Sequence, residues 1–285
     1  MKRIFTVLMI LVISISLFTG CSGKEDTPVT VISLMTEWDR NSQGLAFDVS
    51  YDIVMKVSGD EAVRKVSTTG DFTVQSVGKI IRTVGNVVEN DMDSRSAKQV
   101  DAYAELQGEG YYVVYEQENN RWYKSESDVS PIGDMLYTTG VKYASLRDDT
   151  VMYNGEDCYA VDAVMDVSDI GMLMGMSLSK TVLSEEDEYD DADDDTDDDV
   201  IYVSAVYYFS VTNRRLYAIE IDAAAAIDMP LKKVMKSRFD TIVVSVDSFK
   251  IMITDIDANY AAEIVIPAGI ITGAVDIADK TETVE

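Results

Sequence analysis

Polar and apolar residues alternate along most of the chain from Leu45 onward. In the first such run, Leu45 to Val57, every odd position is apolar and most even positions are polar. Successive side chains of a strand point to opposite faces of a sheet, so this pattern predicts a strand with one buried and one wet face. The same pattern predicts further strands near residues 66–75, 77–88, 100–107, 111–116, 121–124, 151–153, 157–164, 201–209, 215–222, 241–256 and 260–267.

Short polar turns separate these runs. Ser58 to Glu61, Asn119-Asn120, Asn154-Gly155 and Thr212-Asn213 each stand between two strand-like segments. Asn-Gly favours a type I′ turn, because both of its central residues tolerate a positive φ. The order of strands and turns therefore predicts a mainly β fold, an antiparallel meander in one domain over residues 41–275.

Helical spacing appears in a few places. Val31 to Arg40 is amphipathic and predicts a helix with Ile32, Met35 and Trp38 toward the core. Residues 131–137 and 229–238 predict short helices, the second with Pro230 in its first turn. From Ala268 onward the sequence predicts a frayed end, with residues 276–285 as a polar tail.

A methionine-rich segment interrupts the strand pattern between Val164 and Leu183. Its apolar residues have helical spacing, and ordinary packing against the sheet is the simpler interpretation. The alternative is a helix that lines a binding site, since methionine side chains adapt to varied apolar shapes. The candidate ligand-binding residues of that alternative are Met165, Met172, Met174, Met176 and Leu178.

An acidic run follows at Glu185 to Asp199, where every residue except Tyr189, Ala192 and Thr196 carries a carboxylate. So many like charges predict a solvated, disordered insertion in the domain. Weak calcium binding is the alternative, because carboxylate oxygens are ligands for calcium. The spacing of an EF-hand is absent.

The composition excludes several classes of function. The formal charge is −27, which repels nucleic acid. The chain has no histidine, so it has no Ser-His-Asp set and no histidine metal site, and it has neither a P-loop nor a dinucleotide fingerprint. We therefore expect no enzymatic activity, no cofactor and no specific metal. Cys158 lies in an alternating run, and we expect its side chain to be buried and to pack like a small apolar residue.

The N-terminus has the three parts of a secretory signal. Lys2 and Arg3 precede an apolar run from Ile4 to Phe18, which is too short to span a bilayer. Thr19, Gly20 and Cys21 follow, and this arrangement resembles the lipobox of bacterial lipoproteins. The resemblance implies that residues 1–20 are removed and that Cys21 is acylated, with palmitate among the expected chains. Residues 21–40 would then form the lipid anchor and tether of an extracytoplasmic protein on the bacterial cell membrane.

The remaining motifs resemble a recurring group of bacterial surface lipoproteins of largely unknown role. They are the block Asn119 to Lys124, the turn Asn154-Gly155 followed by Cys158 to Val161, and the terminal Ile264 to Pro267. Together with the meander, they are similar to the LolA/LolB-like and mycobacterial lipoprotein-carrier superfamily. This resemblance implies a curved antiparallel sheet, a half-barrel with a few helices on its concave face and a cavity that holds acyl chains.

Two functions remain open at this point. The first is a carrier or sensor that binds a lipid or another hydrophobic ligand in the half-barrel, with the methionine-rich segment among its lining. The second is a structural or protein-interaction lipoprotein of the cell envelope, with a filled core and no ligand.

Overall fold

The structure, a computed structural model, describes residues 29–41, 44–58, 63–91, 94–108, 110–127, 132, 136, 141–166, 202–228, 232 and 243–277. The contacts divide the chain into two units, Met1–Thr30 and Val31–Glu285. Only residues 29 and 30 of the first unit are described. No helix in the described part of the chain is long and apolar enough to cross a membrane.

The described elements of the second unit are mostly strands. In chain order they are α1 (Val31–Asn41), β1 (Leu45–Ser58), β2 (Val63–Val77), β3 (Ile80–Asp91), β4 (Ser94–Gln107), β5 (Tyr111–Glu118), β6 (Arg121–Ser127), β7 (Val141–Leu146), β8 (Val151–Tyr153), β9 (Glu156–Asp166), β10 (Tyr202–Ser210), β11 (Leu216–Asp222), β12 (Val243–Asp257), α2 (Ala268–Gly273) and β13 (Val275–Asp276).

The strands form a single large, curled sheet. Its order is β13-β6-β5-β4-β3-β2-β1-β12-β11-β10-β9-β7, with β8 also paired to β9. The neighbours pair antiparallel, except that β13 pairs parallel to β6. The predicted fold class, a mainly β protein built on a curved antiparallel sheet, is confirmed.

Paired residues of neighbouring strands lie on the same face of the sheet, so the alternation seen in β1 continues in the strands beside it. We call the face that bears Phe47, Val49, Tyr51 and Ile53 the inner face, and the opposite face the outer face. Val49 pairs with Phe72 on β2 and with Ile253 on β12. Rows of side chains therefore run across neighbouring strands on the same face, which is what the predicted period of two requires.

The predicted turns within the described residues also form, whereas residues 59–61 of the turn Ser58 to Glu61 lie outside them. Asn154 and Gly155 have φ values of 47° and 86°, and Val151 pairs with Cys158 across them. Asn119 and Asn120, at 51° and 61°, join β5 to β6. Positive φ at two successive residues is the signature of the type I′ turn that the Asn-Gly sequence predicts.

The first helix forms where its pattern predicts it, with one error in its buried side. Met35 and Trp38 are 2% and 3% exposed, and the Trp38 indole N–H donates to the carbonyl of Leu136. Ile32, however, is 77% exposed, and Leu34 is the fully buried residue instead. At about 100° of rotation per residue, Leu34, Met35 and Trp38 share one side of the helix and Ile32 lies well off it.

The C-terminal end differs from its prediction. Residues 260–267 form no strand, and the chain then makes α2 and pairs β13 with β6 instead of fraying. Ile266 and Ile270 pack on Tyr103 and Tyr115 of the outer face. The apolar alternation of this segment reflects packing onto the sheet rather than pairing within it.

The other helix predictions are only partly within the described residues. Residues 164–166 end β9, so the methionine-rich helix does not begin at Val164, and 167–183 lie outside the description. Of residues 131–137 only Ile132 and Leu136 are described, and of 229–238 only Lys232.

Candidate functional site

The inner face of β1 and β9–β12 is closely packed. We call these five strands the filled half. Most of their inner-face side chains are between 0% and 4% exposed, whereas Met55, Val57 and Tyr159 are half-buried. The closely packed set is Phe47, Val49, Tyr51, Ile53, Val161, Ala163, Met165, Val203, Ala205, Tyr207, Ile219, Ile221, Phe249, Ile251 and Ile253. Such burial is typical of a protein core and leaves no room for a ligand there.

The inner face of β3–β6 is different, and we call these four strands the open half. Ile81 and Ala104 are buried there, but most inner-face residues are only half-buried. The half-buried set is Thr83, Gly85, Val87, Asp91, Val100, Ala102, Leu106, Tyr112, Val114, Glu118, Tyr123, Ser125 and Ser127. Most of it is apolar or small, as expected of a surface that a hydrophobic molecule can cover. Asp91 and Glu118 are the charged members, and Glu89, Lys98 and Glu116 of the same face are exposed.

The described helices lie elsewhere. Residues 224–228 are also helical, and Asp228 accepts a hydrogen bond from the backbone N–H of Val246 in β12 of the filled half. α1 contacts β7, at the far end of the sheet order from β6. α2 packs on the outer face, where Ile270 contacts the cluster around Tyr103 and Tyr115. Within the described residues, the open half is therefore covered by a helix on its outer face only.

Two rings mark the border between the halves on the inner face. Tyr51 of β1 and Phe72 of β2 stack with their ring centroids 5.8 Å apart. A Cβ atom on Gly70 would collide with both rings, and one on Gly85 would collide with Phe72 and with the carbonyl of Asp71. Glycine at these two strand positions lets the rings lie flat on the backbone.

The hydroxyl group of Tyr51 has an unusual environment. The residue is 3% exposed, and among the described residues its hydroxyl oxygen has no hydrogen-bond partner. Burial, and then the carboxylates of Glu89 and Asp71, raise the pKa of Tyr51 to about 12. At neutral pH the group is therefore a protonated donor that has no acceptor among the described residues.

The outer face of the filled half carries a groove of about 590 Å³. Outer-face side chains of β7 and β9–β12 line it, including Tyr143, Asp162, Val206, Glu220, Asp222, Lys250 and Met252.

Most of the acidic groups in this groove already have partners. Arg147 forms an ion pair with Asp162 at 2.7 Å, which lowers the pKa of that carboxyl group. Glu220 accepts a hydrogen bond from the Tyr208 hydroxyl at 2.9 Å.

A small aromatic cluster lies beside the groove. Tyr153 stacks on Tyr208 with a centroid distance of 4.3 Å, and Cys158 is fully buried next to them. Burial raises the pKa of the Cys158 thiol to about 11, so the thiolate that reacts is scarce at neutral pH. The prediction that Cys158 is a small buried apolar residue is confirmed.

The sequence-predicted site residues divide into two groups. Met165 is described, and it is a fully buried strand residue of the filled half that pairs with Val141 and Val203. Cys21, Met172, Met174, Met176 and Leu178 lie outside the described residues, as does the acidic run 185–199. Their predicted roles stay predictions. The described residues contain no group of three or more metal-ligating side chains.

Sequence reasoning missed Tyr51 and the open half. The available signal was the pair of glycines, Gly70 and Gly85, in the middle of otherwise regular strands. Such glycines indicate that another group approaches the backbone closely. The sequence did not show which group, because Tyr51 is distant from both along the chain.

The comparisons with known proteins returned structures only. No protein-family model and no curated protein sequence matches the chain. LprF from Mycobacterium bovis is similar at 13% identity with a TM-score of 0.38, over 82% of this chain and 94% of that one. The lipoprotein LppX from Mycobacterium tuberculosis is similar at 11% identity with a TM-score of 0.33, over 82% and 96%.

A LolA superfamily protein from Nitrosomonas europaea is similar at 9% identity with a TM-score of 0.27, over 82% of this chain and 96% of that one. These are the groups that the sequence resemblance names. These TM-scores are too low for the functions of these proteins to be transferred to this chain. We therefore infer its function from its own residues.

Proposed function

We propose that this protein is an extracytoplasmic lipoprotein, anchored to the cell membrane through acylated Cys21, that carries or senses a hydrophobic ligand. The ligand, a lipid or another apolar molecule, binds on the inner face of the open half. The observation that supports this proposal is the difference in burial along one continuous face. The inner face is closed over β1 and β9–β12 and only half-buried over β3–β6.

The chemistry of the open half suits an apolar ligand. Val87, Val100, Ala102 and Val114 give it an apolar surface. Burial of apolar surface contributes about 25 cal/mol for each Å², so a ligand that covers several of these side chains gains affinity without any charged contact. The small residues keep the surface low enough for a chain of methylene groups to lie on it.

We also propose that the methionine-rich segment lines the ligand site, and this part of the proposal is based on the sequence alone. Met172, Met174, Met176 and Leu178 remain proposed lining residues, because methionine accommodates varied apolar shapes. Met165 contributes to the packing of the filled half rather than to the ligand surface.

Val87 and Val88 offer a matched test. They are neighbours on β3, both are half-buried, and they face opposite sides of the sheet. Val87→Asp places a charge on the proposed ligand surface, so we expect the protein to lose at least about tenfold in affinity for a fluorescent fatty-acid ester. Val88→Asp is the control and leaves that affinity unchanged.

Equal affinities in the two Val variants and the unmodified protein would contradict the proposed site. Circular dichroism of both variants shows whether the sheet is intact, so that a general loss of folding is recognised.

The outer groove favours a second function, docking of a protein partner in the cell envelope. Its mixture of apolar side chains with carboxylates and Lys250 is typical of a polar protein interface. A photo-crosslinking residue in place of Tyr143, which is 72% exposed and lines the groove, would capture such a partner in whole cells. The same residue in place of Tyr111, which is exposed away from the groove, is the control. No difference between the two positions would exclude this function for the groove.

A further inference from the structure

The Tyr51 side chain reaches from the filled half toward the open half. Tyr51 pairs with Gly70 of β2, and Gly70 pairs with Val87 of β3. A Cβ atom on Gly70 would lie 2.5 Å from Cζ of Tyr51, the ring carbon that bears the hydroxyl group. The hydroxyl oxygen therefore lies beyond Gly70, on the side of β3 where the open half begins.

This hydroxyl is a donor that the described residues leave unused. The contrast with Tyr208 is direct, because the pKa of each tyrosine is raised to about 12, mainly by burial. Tyr208 donates its hydroxyl hydrogen to Glu220, whereas Tyr51 has no partner in the described part of the chain. A buried donor without an acceptor lowers the free energy of unfolding. A bound ligand that supplies the acceptor would remove this loss.

The charges around this hydroxyl select the kind of acceptor. The two charged groups that shift the pKa of Tyr51 are both carboxylates, Glu89 and Asp71. Lys98 of β4 lies opposite Val87 on the inner face, where it is exposed to solvent, and it is not among the groups that shift this pKa. Glu89 shares the inner face of β3 with Val87, and Asp71 follows Gly70 on β2. Their negative field disfavours an anionic oxygen at this place and leaves a neutral carbonyl oxygen as the suitable acceptor.

We infer that the Tyr51 hydroxyl donates a hydrogen bond to the carbonyl oxygen of an uncharged acyl ester or amide bound on the open half. The ligand class is then a neutral acylated lipid rather than a free fatty acid. Tyr51 is the polar group that fixes the position of the carbonyl, while the acyl chain lies along the apolar residues of β3–β5. This inference rests on the proposed function and adds the ligand class and its anchoring residue.

The test compares three probes of similar chain length. Methyl oleate has a neutral carbonyl, oleate has a carboxylate, and 1-octadecene has no oxygen. Each is delivered from a cyclodextrin complex to residues 22–285, which contain the compact unit Val31–Glu285, and its affinity is measured by displacement of Nile red. The proteins are the unmodified chain, Tyr51→Phe, and the control Tyr115→Phe, which removes a hydroxyl group from a buried tyrosine of the outer face.

We expect the unmodified protein and Tyr115→Phe to bind methyl oleate about five- to tenfold more tightly than 1-octadecene, as one neutral hydrogen bond predicts. Oleate binds more weakly than the ester. Tyr51→Phe binds methyl oleate and 1-octadecene equally.

Three results overturn the inference, and they are distinguishable. If all three probes bind but Tyr51→Phe keeps the preference for the ester, or if the unmodified protein prefers oleate, Tyr51 is not the anchor while the proposed function stands. If none of the three probes displaces Nile red from the unmodified protein, the proposed function fails as well. A loss of folding in Tyr51→Phe is detected by its circular dichroism, and Tyr51→Leu, which also removes the donor, then serves as the second variant with the same expected result.

Discussion

The filled half and the open half belong to one sheet, yet they are covered on opposite faces. In the filled half the inner face is a core, with Tyr207, Ile219 and Ile253 fully buried, and the outer face carries a groove. In the open half the outer face is covered by the C-terminal segment through Ile266 and Ile270, and the inner face is half-buried. The sheet thus gains stability from both of its sides without closing either side completely.

Under the proposed function, this difference explains how a single domain can be stable and also bind a ligand. Missing or added atoms in a core cost stability, because cores are packed at the density of crystals. A surface that binds varied apolar molecules has the opposite requirement. The proposed function assigns the two requirements to different strands, and Tyr51 and Phe72 lie where the two regions meet.

The largest effect should come from the same truncation made in each half. Val49 is 1% exposed in the filled half, and Val87 is half-buried in the open half. We expect Val49→Ala to lower the free energy of unfolding by about 2–3 kcal/mol, because it removes buried methyl groups and leaves a cavity. Val87→Ala should cost less than about 1 kcal/mol. Urea unfolding followed by circular dichroism measures both free energies. Equal losses would contradict the difference in packing between the two halves.

A smaller effect tests the border. In Gly85→Ala the new methyl group would collide with the carbonyl of Asp71 and with the ring of Phe72. We expect a loss of about 1–2 kcal/mol in the free energy of unfolding, since the backbone must shift. Gly269→Ala in α2 is the control, because no atom lies within 4 Å of the added group. A neutral Gly85→Ala would show that the rings do not lie on the backbone as described.

The smallest effect concerns alkaline pH. The pKa of Tyr51 is raised from 10.0 to about 12, so as the pH rises the unfolded chain releases this proton before the folded chain does. The stabilisation is therefore complete below pH 10.0 and is lost as the pH rises toward about 12. Between pH 10 and pH 12, the urea concentration at the midpoint of unfolding should fall less in Tyr51→Phe than in the unmodified protein. An unchanged fall in the variant would contradict the buried environment of the hydroxyl.

Part of this architecture follows from the sequence because it depends on neighbours in the chain. The period of two identified Phe47, Val49 and Ile53 as one buried face, and Asn154-Gly155 identified its hairpin. These features depend on local backbone preference and on the side to which each side chain points.

The parts that sequence reasoning missed depend on distant contacts. The alternation gives each strand two faces but does not state which element covers each face. Ile264 and Ile266 alternate like strand residues, although they pack onto the sheet from outside. Met165 follows the apolar pattern of the segment after it, although its pairing with Val141 and Val203 holds it in β9.

Native mass spectrometry of residues 22–285, expressed in bacteria without the signal and purified without detergent, tests the central claim most directly. We expect a co-purifying lipid in a one-to-one complex, lost in Val87→Asp and kept in Val88→Asp, and lipid extraction then identifies its class. A protein that is empty in every preparation, and that also fails to take up methyl oleate, would contradict the claim and leave the outer groove as the functional surface.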